Sequence, residues 1–160
     1  MNEIIYASAG SIARAIRNKE ASAVEVVEAH LSRIEEVNSR VNAVVQLVAD
    51  RALAEAREAD AALARGEPTG PLHGVPITIK DSHDTEGIIS TGRTKGRACF
   101  LPDRDATVVA RVRAAGAIVL GKTNTPEMGW KGDSSNRLMA PTQNPWKRGH
   151  TAGGSSGGAA

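Results

Sequence analysis

The chain has 160 residues, of which 41% are hydrophobic and 24% charged, the balance of a folded domain rather than of a disordered tail. Lys and Arg number 20 against 18 Asp and Glu, a formal charge of +2 that is too small to imply a nucleic-acid partner. A single cysteine, Cys99, excludes an internal disulfide framework and an all-cysteine metal site.

Residues 1–65 read as a helical packing region. A short helix is predicted over Ser8–Arg17. Ser22 and Glu25 form a capping box, in which the serine oxygen takes the Glu25 amide and the carboxylate reaches back to the serine amide. Behind it Val24, Val27, Ala29, Leu31 and Ile34 recur at helical spacing, leaving Glu25, Glu28, Arg33 and Glu35 to solvent. The stretch 42–48, NAVVQLV, has the β-branched density of a short strand, and Ala52–Arg65, rich in Ala and Glu, is a third helix. The aromatics are only Tyr6, Phe100, Trp130 and Trp146, so aliphatic side chains must build the core.

Residues 66–160 read as a core sheet with a glycine-rich loop. Gly66–Gly74 is a loop by its glycines and prolines. Val75–Lys80, VPITIK, is a compact strand with its proline at the entry, where a ladder donor is least missed. Thr107–Gly116 is an amphipathic helix ended by glycine, and Ala117–Lys122 a second buried strand. This βαβ rhythm predicts an α/β fold with a mainly parallel sheet covered by helices. After Lys122 the chain is loop-rich. It finishes on GGSSGGAA, which reads as the opening turn of a helix, and the 160 residues are expected to be the front of a longer protein.

Two lysines sit at strand ends, Lys80 and Lys122. A strand-end lysine is ordinarily a solvated charge. To act as a base it must be neutral, which at pH 7 costs roughly 4–5 kcal/mol from an ordinary pKa of about 10.4, a shift that burial can supply. Asp81 follows Lys80, but successive strand residues face opposite ways and need not meet. Gly153–Gly158, GGSSGG, has the composition of a flexible linker. Its glycines also leave Ser155 and Ser156 sterically open, and a serine needs a base or relay to act as a nucleophile. The histidines, His30, His73, His83 and His150, show no metal-site spacing and no Ser-His-Asp arrangement. Gly92–Arg97, GRTKGR, reads as a solvated basic turn, and Cys99 beside Phe100 as a buried or half-buried small hydrophobe. The start, MNEIIYASAG, has an acidic residue where a secretory signal needs positive charge, and the apolar runs fall short of a membrane span. The expectation is a cytoplasmic protein with no cofactor and no metal.

In order along the chain, GVPITIKD (Gly74–Asp81), GAIVLGKTNTPE (Gly116–Glu127), NPW (Asn144–Trp146) and GGSSGG (Gly153–Gly158) resemble the amidase signature family. The N-terminal helical stretch resembles that family's usual opening, so the likeness covers essentially the whole chain. IKD and GGSSGG, with Lys80 and Ser155 separated by 75 positions, are specific together and weak alone. The resemblance implies an α/β fold with a central mixed β-sheet covered by helices. Residues 1–160 would be the N-terminal portion of a single such domain.

It further implies amide hydrolysis through a Ser-Ser-Lys triad, with Lys80 as the base, Ser155 as the bridging serine behind a cis peptide bond, and Ser156 as an orienting neighbour. Lys122 matches a motif position with no catalytic role. Met128, Gly129 and Trp130 would border the acyl pocket, where Trp130 would favour an apolar or aryl acyl group or else pack in the core. The nucleophilic serine and the oxyanion donors would fall beyond Ala160, so these residues alone are expected to be inactive. Ala152 departs from the proline usual before GGSS, which loosens that turn and removes no chemistry.

The implied partner is a small-molecule amide, without direct nucleic-acid or membrane contact. A homodimer, or an amidotransferase partner subunit, is the protein partner the family allows. The rival within the fold is the glutamine-hydrolysing A subunit of the tRNA-dependent amidotransferase, whose segment after the GK.N motif is typically more acidic and glycine-rich than TPEMGWKGDSSN. The rival of another class is a non-catalytic fragment or interaction module.

Overall fold

The computed structural model describes residues 4–67 and 69–160. Its elements in chain order are α1 (Ala9–Arg17), α2 (Ala23–Val41), β1 (Val44–Leu47), α3 (Ala49–Ala64), β2 (Pro76–Lys80), α4 (Thr107–Ala114) and β3 (Ile118–Thr123). Short 3-10 turns lie at Ile4–Tyr6, Lys95–Arg97 and Glu127–Gly129. The chain divides into two compact units. One comprises the chain up to Glu35, Val48–Ile77 and Ala110–Leu120; the other comprises Glu36–Leu47, Thr78–Val109 and Gly121–Ala160.

In the first unit the helices begin where local chemistry satisfies their free amides. Ser8 Oγ accepts from Ser11 N at the start of α1. At α2 the expected capping box forms: Ser22 N donates to Glu25 Oε2 at 2.8 Å, and Glu25 N to Ser22 Oγ at 3.1 Å. These bonds from Ser22 hold the Glu25 carboxyl below its ordinary pKa. A distant side chain completes the cap, since the Asp60 carboxylate on α3 accepts from Ala23 N at 2.7 Å and Val24 N at 3.1 Å.

The apolar faces then close on one another. Ile12, Ala13 and Ile16 of α1, Ala23, Val26 and Val27 of α2, and Ala52 and Ala56 of α3 form one buried cluster with Val75, Ile118 and Leu120. The alanines bring these helices together without a large side chain between them, as the scarcity of aromatics requires. Val26 is fully buried, whereas the expected pattern passed from Val24 to Val27. Ala29 is only half-buried.

The second unit starts with the last turns of α2. Asn38, in the last turn of that helix, ties its end to β1: its Oδ1 accepts from Ala43 N and Val44 N, both at 2.9 Å, and its Nδ2 donates to Val44 O at 2.7 Å. The sheet has the order β1-β3-β2. β1 runs antiparallel to β3, with Val44 opposite Thr123 and Leu47 opposite Gly121 and an irregularity between Val44 and Gln46. β2 and β3 run parallel, as shown by Ile118 N donating to Val75 O at 2.8 Å and Asp81 N to Thr123 O at 3.1 Å.

The sheet is therefore mixed, which corrects the reading of a mainly parallel one drawn from strand rhythm. That rhythm describes only β2-α4-β3, where a helical crossover forces the parallel sense. β1 arrives from α2 by a tight turn and pairs the other way. Every residue of β3, the central strand, is buried.

Two local expectations also change. Cys99 is exposed, because it follows the Lys95–Arg97 turn in a surface loop where Phe100 is itself exposed and stacks under the Arg97 guanidinium at 4.2 Å. The basic turn 92–97 is not wholly solvated, because Arg93 is only 3% exposed.

Candidate active site

Lys80 is the last residue of β2, and its side chain points away from that of Asp81, as strand alternation requires. Its Nζ lies 2.7 Å from Ser155 Oγ and 3.1 Å from Ser156 Oγ. Lys80 and Ser155 are half-buried and Ser156 is exposed. Burial lowers the pKa of the Lys80 ammonium from its ordinary value, the direction a base needs. A neutral amine has two hydrogens and a lone pair, so it can donate to Ser156 while accepting the Ser155 hydroxyl proton.

The two serines come from a loop that is packed rather than free. The Gly154–Ser155 peptide bond is cis. A Cβ at Gly154 would stand 2.1 Å from Asp133 O, and one at Gly158 would stand 2.3 Å from Asn124 N and 2.8 Å from Ala43 O. Backbone atoms cannot yield to a side chain at such distances, so glycine is dictated here by close approach. Thr125 Oγ1 donates to Ser155 O at 2.8 Å and Gly158 N to Asn124 O at 3.2 Å. Ala159 N and Ala160 N both donate to Ser156 O, which gives the expected opening turn. Gly154→Ala is expected to shift this loop and to lower the melting temperature by several degrees, read by circular dichroism; an unchanged midpoint would mean that Asp133 moves aside freely.

On the other face of the strand end, Asp81 sits in a buried polar cluster. Its carboxylate accepts from Thr91 N at 3.3 Å and from the Thr91 hydroxyl. Arg93 Nε lies 3.1 Å and Lys122 Nζ 3.8 Å away. Lys122 is fully buried, which overturns its reading as a solvated strand-end charge. It donates to His83 O at 2.6 Å, Thr85 Oγ1 at 2.9 Å and Ser90 Oγ at 2.8 Å. Burial pulls its pKa down to about 8, against the opposing pull of Asp81. The cluster ties the exits of β2 and β3 to the loop that follows β2.

Met128 and Gly129 belong to the turn Glu127–Gly129, with Trp130 just after it. Met128 N donates to Gly92 O at 2.8 Å. Met128 is 57% and Trp130 87% exposed within the described residues. Lys80, Ser155 and Ser156 are thus brought together, while Met128–Trp130 occupy a separate turn. Among the described residues no group of three or more His, Cys, Asp or Glu could hold a metal ion, and no helix is long and apolar enough to cross a membrane.

The sequence model of the Amidase family matches residues 25–160. The chain belongs to the amidase signature family. It is 48% identical to indoleacetamide hydrolase of Bradyrhizobium diazoefficiens over 95% of its length and 29% of that protein's. It is 44% identical to the A subunit of glutamyl-tRNA(Gln) amidotransferase from Carboxydothermus hydrogenoformans, over 99% of its own length and 33% of the relative's. Among solved structures, a bacterial aryl acylamidase of the same family superposes with a TM-score of 0.90 at 34% identity, over 96% of this chain and 32% of that one. The chain therefore spans about a third of the length of the curated relatives it matches.

The amidase signature motifs account for Lys80 and the serine loop. Sequence reading did not single out the residues that carry the loop, namely Asn124, Thr125 and Asp133. Asn124 and Thr125 lie inside GKTNTPE, where an Asn-Thr pair directly after a buried strand could have been read as a capping element for a neighbouring loop. Asp133 acts through its backbone and leaves no residue-type signal.

Proposed function

We propose that the protein carrying these residues is an amide hydrolase in which Lys80 is the base and Ser155 the proton relay, residues 1–160 being the N-terminal part of one amidase signature domain. The observation that carries this reading is the 2.7 Å approach of Lys80 Nζ to Ser155 Oγ. Neutral Lys80 takes the Ser155 hydroxyl proton as Ser155 takes one from a nucleophilic serine supplied by the downstream part of the domain. That serine's oxygen bonds to the amide carbonyl carbon, and the returning proton leaves with the nitrogen as ammonia or an amine. Water then cleaves the acyl-serine ester and releases the acid. Ser156 orients Lys80 through the 3.1 Å contact. No step calls for a metal or cofactor. Met128, Gly129 and Trp130 border the acyl pocket, where an indole favours an apolar or aryl acyl group. The protein acts in the cytoplasm.

A second reading, the glutamine-hydrolysing component of an amidotransferase that works with a partner protein, is favoured by the 44% identity to the amidotransferase relative. One experiment separates them. The full-length protein is assayed for ammonia release from aryl-acetamides, aliphatic primary amides and glutamine, alone and with candidate partner subunits. Hydrolysis of an aryl or alkyl amide by the protein alone, lost in Ser155→Ala, is expected. Turnover of glutamine only with a partner present would replace the first reading by the second. Wild-type rates in Ser155→Ala would overturn the relay. Residues 1–160 by themselves are expected to release no ammonia from any of these amides.

A further inference from the structure

Directly after Thr123, where the central strand ends, come Asn124 and Thr125, both 0% exposed. These consecutive residues hold the serine loop at two points, with Thr125 Oγ1 donating to Ser155 O at 2.8 Å and Asn124 O accepting from Gly158 N at 3.2 Å. The pair is itself anchored. Asn124 Oδ1 accepts from Thr125 N at 3.1 Å and from Asn136 Nδ2 at 2.9 Å, while Asn124 Nδ2 donates to Ala140 O at 3.0 Å. A buried hydroxyl has no water to turn to, so the Thr125 proton is committed to the carbonyl of the residue whose hydroxyl lies nearest Lys80.

The lever is short. Carbonyl carbon and Cβ are both bonded to the Ser155 Cα, so holding the carbonyl restricts where Cβ sits, and Oγ then reaches Lys80 by rotation about the Cα–Cβ bond alone. The two ends of the Lys80–Ser155 contact are then tied to neighbouring strands, the lysine at the end of β2 and the serine, through Thr125, two residues past the end of β3. Their separation is set by the sheet.

We propose that Thr125 is a positioning residue for proton relay, its hydroxyl holding the Ser155 backbone so that Oγ stays within hydrogen-bond reach of Lys80. The proposal rests on the reading of Ser155 as the relay. A misplacement of about 1 Å at a reacting group costs on the order of 100-fold in rate. Thr125→Val keeps the shape and removes the donor, whereas Thr125→Ser keeps the donor and removes a methyl.

In the full-length protein, with whichever amide of the panel above it hydrolyses, Thr125→Val is expected to lower kcat about 10- to 100-fold with KM unchanged within about twofold. Thr125→Ser is expected to restore kcat to within about threefold of wild type. A loss that is merely structural would instead lower the two variants alike or move KM with kcat, and either result overturns the proposal. Wild-type kcat in Thr125→Val overturns it as well. If Thr125→Val fails to fold, Thr125→Ala, which opens space instead of placing a methyl against the carbonyl, carries the same test. Ser155→Ala separates the two readings: an active Ser155→Ala sinks the relay itself, whereas an inactive Ser155→Ala beside a fully active Thr125→Val sinks only the role of Thr125. A readout without turnover is the crystal structure of the valine variant. There the Lys80 Nζ–Ser155 Oγ separation is expected to lengthen beyond hydrogen-bond reach, and an unchanged 2.7 Å would overturn the proposal.

Discussion

Lys80→Met in the full-length protein is expected to lower kcat for amide hydrolysis by about 10³-fold or more, near the upper part of the range that a positioned general base supplies. Methionine matches the length of the aliphatic stem and removes only the amine. The variant gives up hydrogen bonds to Ser155 and Ser156, the second of them to an exposed residue, so the fold is expected to survive with a melting temperature within a few degrees of wild type. Lys80→Arg is expected to be as inactive as the methionine variant, because a guanidinium keeps its proton at any working pH. The sign of the pH dependence follows from the same burial. Lys80 must be deprotonated to act, so activity rises with pH along a basic limb. Because burial lowers its pKa, that limb lies below the position an exposed lysine would give. Steady-state kinetics across the neutral and basic pH range checks both points. A methionine variant with its rate and limb intact would remove Lys80 from the mechanism.

Lys122→Met is expected to cost about 3–5 kcal/mol of stability, the usual consequence of removing one member of a buried charged set. The substitution takes a charged donor from three oxygens at once, His83 O, Thr85 Oγ1 and Ser90 Oγ, which keep only the weaker neutral bonds among themselves and with Thr85 N and Ile88 O, and it removes a cation from beside Asp81. The pH dependence has a definite sign. The Lys122 pKa is about 8 in the folded chain and 10.5 ordinarily, so between those values the unfolded chain binds more protons. Its contribution to stability therefore rises as pH goes from about 8 toward 10.5, by about 3 kcal/mol in all. Urea melts across that range should show the rise in wild type and its absence in Lys122→Met, the difference cancelling the other lysines. A methionine variant as stable as wild type would mean that water enters and satisfies the cluster.

What could be read from the sequence was what neighbours in the chain decide. The Ser22–Glu25 box involves residues three apart, and it forms as expected. The remaining caps of the same helix come from Asp60, 37 and 36 residues away, and no local pattern announces a helix borrowing its cap from another. Lys80 and the serine loop were legible as residue types, but their meeting across the sheet was implied by family resemblance rather than by periodicity. Lys122 was misread for a physical reason. A lysine closing an apolar strand is ordinarily solvated, and the oxygens that hold this one come from a loop, 83–90, with no regular spacing. Thr125 was invisible because its partner is a backbone carbonyl, which every residue carries.

The aliphatic core of the first unit has a consequence for spectroscopy. The indoles of residues 1–160, Trp130 and Trp146, belong to the second unit and are 87% and 90% exposed, and neither lies in the cluster built by α1, α2 and α3. In residues 1–160 by themselves their emission is expected to be red-shifted like that of indole in water, so melting that core would leave the tryptophan spectrum nearly unmoved. A blue shift at these two positions would instead report that something has come to lie over them, which makes them a built-in sensor of contact rather than of unfolding.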